Sequence, residues 1–170
     1  MDKRWIYIVI IFIIGFAALF FIAESSTTVG SAVVGINTFT TSIPDDYNIE
    51  NSQNDYATLV KRQTHEKIYI KDEGKGNLTE KVFNEKMSSM ENNPNITRIS
   101  QSKEVYNNIT FKVIDYERIF NNNTNKAFVF MEYKHTFLIE STNFKDSNTL
   151  TEKTHFVIGT LQPDYKKSQD

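Results

Sequence analysis

Residues Trp5 to Ala23 form an uninterrupted run of 19 residues without a charge, WIYIVIIFIIGFAALFFIA. No other stretch narrows the possibilities as much. As an α-helix the run is about 28 Å long, against a hydrocarbon layer of about 30 Å. A helix satisfies its own backbone hydrogen bonds, so it can cross lipid. Trp5 and Tyr7 stand at one end, where amphipathic rings favour the interface, and Gly15 is tolerated in such helices. The sequence therefore predicts a membrane anchor marked by Trp5, Tyr7 and Ala23, with the lipid bilayer as a partner.

Charge sets the orientation. Lys3 and Arg4 precede the run, and the next basic residue is Lys61. The positive-inside rule puts the N-terminus in the cytoplasm and the rest of a single-pass protein outside. A cleaved signal peptide is the competing reading. Its apolar region usually spans about 7–15 residues and ends in a small-x-small site. Here Phe21 fills the -3 position of a cut after Ala23, and a cut near Gly30 or Ala32 lies far from the run. A buried apolar helix in a soluble protein is the third reading. With no Cys in the chain, lipoprotein anchoring, disulfides and Cys-ligated metals are excluded.

The remainder, about 147 residues, is enough for one domain that buries about 68% of its unfolded surface. Setting aside Lys3, Arg4 and Asp2 leaves 17 basic against 20 acidic residues. That balance lacks the positive excess of a nucleic-acid binder, and no nucleic-acid partner is expected. The expected division is a cytoplasmic stub and anchor over 1–23, a linker over 24–35, an extracytoplasmic α+β domain over 36–163, and a flexible tail over 164–170.

Within the domain, a strand is expected over Ile36 to Ile43, followed by a turn at Pro44-Asp45-Asp46-Tyr47. Tyr56–Val60 and Lys67–Lys71 read as strands, and Lys71 to Gly76 as a loop. Asn77 to Glu91 is the clearest helix: Asn77 and Glu80 are spaced as a capping box. Leu78, Val82, Phe83, Met87 and Met90 share its apolar face. Ile96–Tyr106 and Ile109–Phe120 flank Asn107-Asn108, a pair that tolerates the two positive φ angles of a tight hairpin. The implied register sets Arg98 opposite Glu117 and Lys103 opposite Lys112. Ala127 to Glu140 reads as one long strand with one buried and one wetter face. Asn92–Asn95 and Asn121–Asn125 read as loops. Asn148 to Gln162 is ambiguous; its face of Leu150, Thr154, Val157 and Leu161 favours a helix capped by Asn148 or Thr149, ended by Pro163. The fold class is α+β: an antiparallel sheet packed with two helices, after the anchor.

Two short motifs carry a resemblance. Phe39-x-x-x-Ile43-Pro44-x-x-Tyr47 resembles the "apolar strand, I/V-P-x-G-Y/W" opening of PsbP-like domains, the photosystem extrinsic-subunit family and its relatives. The ending Gly159-Thr160-Leu161-Gln162-Pro163 is similar to that family's close. Asp46 stands where the pattern has Gly. The chain also resembles small membrane-anchored archaeal surface proteins of Asn/Lys/Ile-rich composition. The resemblance implies a PsbP-like sandwich over about residues 36–163, serving as a binding or stabilising module, and it transfers no catalytic residues.

Few residues point to chemistry. His65, His135 and His155 are far apart, and no metal-binding spacing links them. Asp115 and Glu117 share a strand face at a separation of about 7 Å, so a hydrolase or metal-dependent enzyme would pair His135 with one of them. Gly74-Lys75-Gly76 lacks the rest of a phosphate-binding loop. No catalytic, cofactor-binding or metal site is assigned, and no cofactor is expected. Four Asn-x-Thr sequons begin at Asn77, Asn95, Asn108 and Asn122. Asn95, Asn108 and Asn122 fall in expected loops and are the candidate N-glycosylation sites. The expected function is non-catalytic binding, or another envelope-associated role, by a membrane-anchored domain outside the cell. Its partner is an unknown envelope or surface protein.

Overall fold

The computed structural model describes residues 32–119 and 121–164. The expected anchor with Trp5, Tyr7 and Ala23, residues 24–31 of the expected linker, and residues 165–170 of the tail lie outside them. Among the described residues no helix is long and apolar enough to cross a membrane.

The Asn107-Asn108 hairpin forms as its sequence dictates. Both residues take positive φ, 49° and 64°. They join β6 (Ile96–Tyr106) to β7 (Ile109–Arg118), with Arg98 opposite Glu117 and Lys103 opposite Lys112. The predicted register holds from Arg98 to the turn and shifts by one at a bulge near Ile96. Pro44 to Tyr47 also turns as expected, closed by the Tyr47 N–H donating to the Pro44 carbonyl at 3.2 Å. Asp46 takes the left-handed conformation there, φ 68°, which glycine adopts without strain and Asp tolerates.

Several expectations are corrected. The strand expected over Ile36–Ile43 is a hairpin of β1 (Val33–Ile36) and β2 (Phe39–Ser42), because Asn37 turns the chain with φ 56°. Residues 33–35 of the expected linker thus belong to the fold. The strand expected over Ala127–Glu140 is also a hairpin, of β8 (Asn121–Glu132) and β9 (His135–Phe144). It bends at Tyr133-Lys134, both at positive φ, a pair with no turn signature. The bend resets the alternation, so Phe130 lies opposite Phe137 and both faces of β9 are buried. The Asn-rich segment 121–125 is strand, not loop. The loop expected from Lys71 onward is the end of β5 (Glu66–Lys75), which pairs with β9 through a bulge between Asp72 and Gly74. The polar edge strand β3 (Asn48–Ser52), which shows no alternation in burial, has no signal in the sequence.

All strand pairs are antiparallel. A seven-stranded sheet has the order β3-β4-β5-β9-β8-β7-β6, with β4 spanning Tyr56–Lys61. A three-stranded sheet has the order β1-β2-β10, with β10 spanning Gln162–Pro163. Helix α1 (Thr79–Glu91) covers one face of the large sheet, setting Val82, Phe83 and Met90 on Ile114, Val129 and Leu138. The predicted capping box does not form. Leu78 is the cap; its N–H donates to Thr136 Oγ1 at 2.9 Å, and Glu80 pairs with Lys112 instead. Helix α2 (Ser147–Gly159) and the small sheet cover the opposite face, over Phe111, Phe128, Phe130, Phe137 and Ile139. Asp146, not Asn148 or Thr149, caps α2: its carboxylate accepts from the Thr149 N–H and hydroxyl, each at 2.8 Å. Those bonds hold the carboxyl below its usual range. The result is a three-layer α+β sandwich, with helices on both sides of an antiparallel sheet.

Candidate functional site

The bulge in β5 builds a buried polar cluster. Gly74 adopts φ +107°, which a side chain would strain. That turn brings its N–H to Asp72 Oδ1 at 2.9 Å. Both Asp72 oxygens lie 3.0 Å from Nδ1 of His135, the first residue of β9. Asp72 Oδ2 also accepts from the Asn37 side-chain amide at 2.9 Å, so the β1–β2 turn is tied to the large sheet. Asp72 and His135 are 4% and 7% exposed. Phe39 packs edge-on against the imidazole, with ring centres 4.8 Å apart. A carboxylate at Nδ1 fixes the ring and its proton there, as in acyl-transfer triads. Among the described residues, no hydroxyl hydrogen-bonds the other ring nitrogen; the adjacent Thr136 hydroxyl is engaged with the Gly76 carbonyl and the Leu78 N–H.

The structure does not bring Asp115 or Glu117 to His135. Asp115 lies across from Lys126 on β8, whereas His135 lies across from Glu132, six residues further on. Along a strand that is about 20 Å. Asp115 Oδ1 pairs with Lys126 Nζ at 3.4 Å, and Glu117 pairs with Arg98 at 3.4 Å. The partner that His135 does have, Asp72, was hidden in an expected loop. One signal could have found it: the inward alternation Glu66, Ile68, Ile70 continues to Asp72. Among the described residues, no cluster of three His, Asp or Glu can hold a metal ion.

The two acids instead line a concave surface of about 380 Å³ at the far end of β7 and β8, with Arg98, Ser100 and Asn122 to Asn125. Asn125 braces its floor. Its amide donates to the carbonyls of Tyr116 (3.2 Å) and Asn123 (2.9 Å), and its oxygen accepts from the Asn143 N–H at 3.0 Å. Both signs of charge and several amides face one hollow, an arrangement suited to a polar ligand or a protein loop. The sequon residues Asn95, Asn108 and Asn122 are all exposed, as is Asn77.

His155 on α2 is half-buried. It stacks on Tyr106 with ring centres 4.0 Å apart, and its Nε2 is buried with no partner among the described residues. Burial lowers its pKa below 6.5; Glu104 opposes that and Lys126 adds to it. A folded state that resists protonation loses stability once the unfolded chain begins to bind the proton. This contribution is therefore whole above about pH 6.5 and declines as the pH falls below it. Thermal melts between about pH 7.5 and about pH 5 should show that decline in the wild type and a shallower one in His155→Gln. Equal slopes in the two proteins would contradict it.

No family model matches the chain, and no curated protein matches it. Solved structures do. The solution structure of cyanobacterial PsbP from Synechocystis superposes with a TM-score of 0.54 at 8% identity, covering 81% of this chain and 95% of that one. The fold is PsbP-like. A crystal structure from Bacteroides thetaiotaomicron gives a TM-score of 0.51 at 13% identity over 74% of this chain. This chain spans 45% of the Bacteroides protein. At such identities the PsbP-like likeness describes the backbone arrangement alone, and that arrangement is the fold that the motifs around Pro44 and Pro163 imply.

Proposed function

We propose that this chain is a non-catalytic binding module: a PsbP-like domain held outside the cell by the apolar run Trp5–Ala23 and engaging an envelope or surface protein. The observation that carries the binding reading is the braced hollow formed by Arg98, Asp115, Glu117 and the Asn122–Asn125 segment. Charged and amide groups converge there without being sealed into the core. The Asp72–His135 pair, in contrast, is closed in by Asn37, Phe39 and the Gly74 bulge. A tether would raise the local concentration of such a module near membrane partners. The placement rests on the length of the apolar run and on Lys3 and Arg4 before it.

Protease added to whole cells tests the placement: the C-terminal portion should be cleaved without permeabilisation. Recovery of the intact chain from the cytosol would overturn it. Capture from detergent-solubilised membranes tests the binding, with a partner retained by the wild type and lost from an Asp115→Ala, Glu117→Ala variant. The runner-up is an envelope hydrolase or metal-dependent enzyme, and the Asp72–His135 geometry favours that pair as its centre. Zinc or calcium that raised the melting temperature of the wild type but not of His135→Gln would select it.

A further inference from the structure

Strand β6 ends the large sheet, and among the described residues no strand pairs with its outer side. It is 11 residues long, and Val105 within it is 72% exposed. Unpaired edges of this length are templates for another strand. The hairpin defines which groups are offered. Tyr106 and Ile109 flank a two-residue turn, so they form a hydrogen-bonded pair, and bonded and non-bonded pairs alternate from there. Ile99, Gln101, Lys103 and Val105 therefore direct their N–H and C=O groups away from β7.

We propose that β6 is a self-association edge on which two copies of this chain pair antiparallel about Gln101. An added antiparallel strand must set outward residues against outward residues, which permits only every second register. Centring on Gln101 satisfies that rule. Gln101 meets Gln101 of the second copy, Ile99 meets Lys103, and Ser100 meets Ser102. Arg98 meets Glu104 twice by symmetry, in non-bonded pairs whose side chains lie close. No like charges face each other. The next permitted registers on either side set Arg98 against Ser102 or Tyr106, and one further toward the turn sets Lys103 against Lys103. Arg98 is at liberty to move, since its present partner Glu117 is an exposed carboxylate at 3.4 Å. Glu104 lies 3.3 Å from Lys126, which keeps Asp115 as a second partner. The pairing yields about six backbone hydrogen bonds between copies and one continuous sheet.

The chain contains no cysteine, so single-cysteine variants of the full-length protein test the axis directly. Paired Gln101 residues would have Cα atoms about 5.5 Å apart, within disulfide reach. Two Val105 residues would be about 27 Å apart, being eight positions out of register. Mild oxidation should convert Gln101→Cys into a covalent dimer at least about tenfold faster than Val105→Cys, although both positions are exposed. Adding Arg98→Glu to the Gln101→Cys chain should slow the reaction. Both sites are on the surface, so folding is not at stake. Equal rates at the two positions, no dimer from Gln101→Cys, or no effect of Arg98→Glu would each overturn the proposal.

Discussion

Replacing Phe137 by alanine is expected to destabilise the domain by about 3–5 kcal/mol, the range for emptying a buried aromatic site. Phe137 is fully buried in β9. Its ring meets Phe39 of the small sheet edge-on at 5.1 Å and stacks on Phe130 of β8 at 5.6 Å. It therefore joins the two sheets as well as filling the layer beneath α2. The neighbouring rings belong to different elements and cannot collapse together into the vacated space, which places the loss toward the upper end. Phe156 is the control: it lies on α2 but is 41% exposed, and Phe156→Ala should change stability by less than about 0.5 kcal/mol. Denaturant titration followed by tyrosine near-ultraviolet circular dichroism suits the measurement, because the single tryptophan, Trp5, lies in the apolar run. A Phe137→Ala loss no larger than that of Phe156→Ala would refute the packing account.

The importance of Phe137 could be half seen in the sequence. Its burial was legible from alternation; its partners were not. The apolar faces of α1 and α2 are legible because a helix face depends only on residues three and four apart, but α2 stops at Gly159, so Leu161 lies beyond it and Gln162–Pro163 is strand β10. The β6–β7 hairpin was legible to the register, because Asn107-Asn108 carries its own turn chemistry. The β8–β9 hairpin was not. Tyr133 and Lys134 adopt left-handed backbone although neither favours it. They are held there by the pairing of Phe130 with Phe137 and Glu132 with His135 on either side. When tertiary pairing imposes a turn, the local sequence does not record it. One strand in place of two reverses the faces beyond the bend, and it also hides that His135 begins a new strand beside β5 and Asp72. The candidate hollow is legible in the same measure: the hairpin register sets Arg98 opposite Glu117, but the Asn-rich Asn122–Asn125 wall has the composition of a loop and forms strand. The bracing role of Asn125 depends on β9, which lies across the misread turn.

Asp72→Ala is expected to cost about 3 kcal/mol or more, although it removes only a small polar side chain. The deletion strands three donors that the carboxylate now satisfies: the His135 ring N–H, the Asn37 amide and the Gly74 N–H. Asp72 is almost wholly buried, so water replaces those bonds only if the β1–β2 turn moves away. Asp72→Asn keeps one good acceptor and should fall between the wild type and alanine. Adding His135→Phe to Asp72→Ala should recover part of the loss, since it removes the stranded imidazole while retaining an aromatic ring against Phe39. That partial recovery separates a structural pair from a catalytic one. A structural pair predicts that the folded double variant keeps the binding proposed for the hollow at Asp115 and Glu117, which lies at the other end of the sheet. If Asp72→Ala unfolds at the same denaturant concentration as the wild type, the cluster does not hold the two sheets together. If the double variant remains folded but loses every function of the chain, the pair itself is the working site.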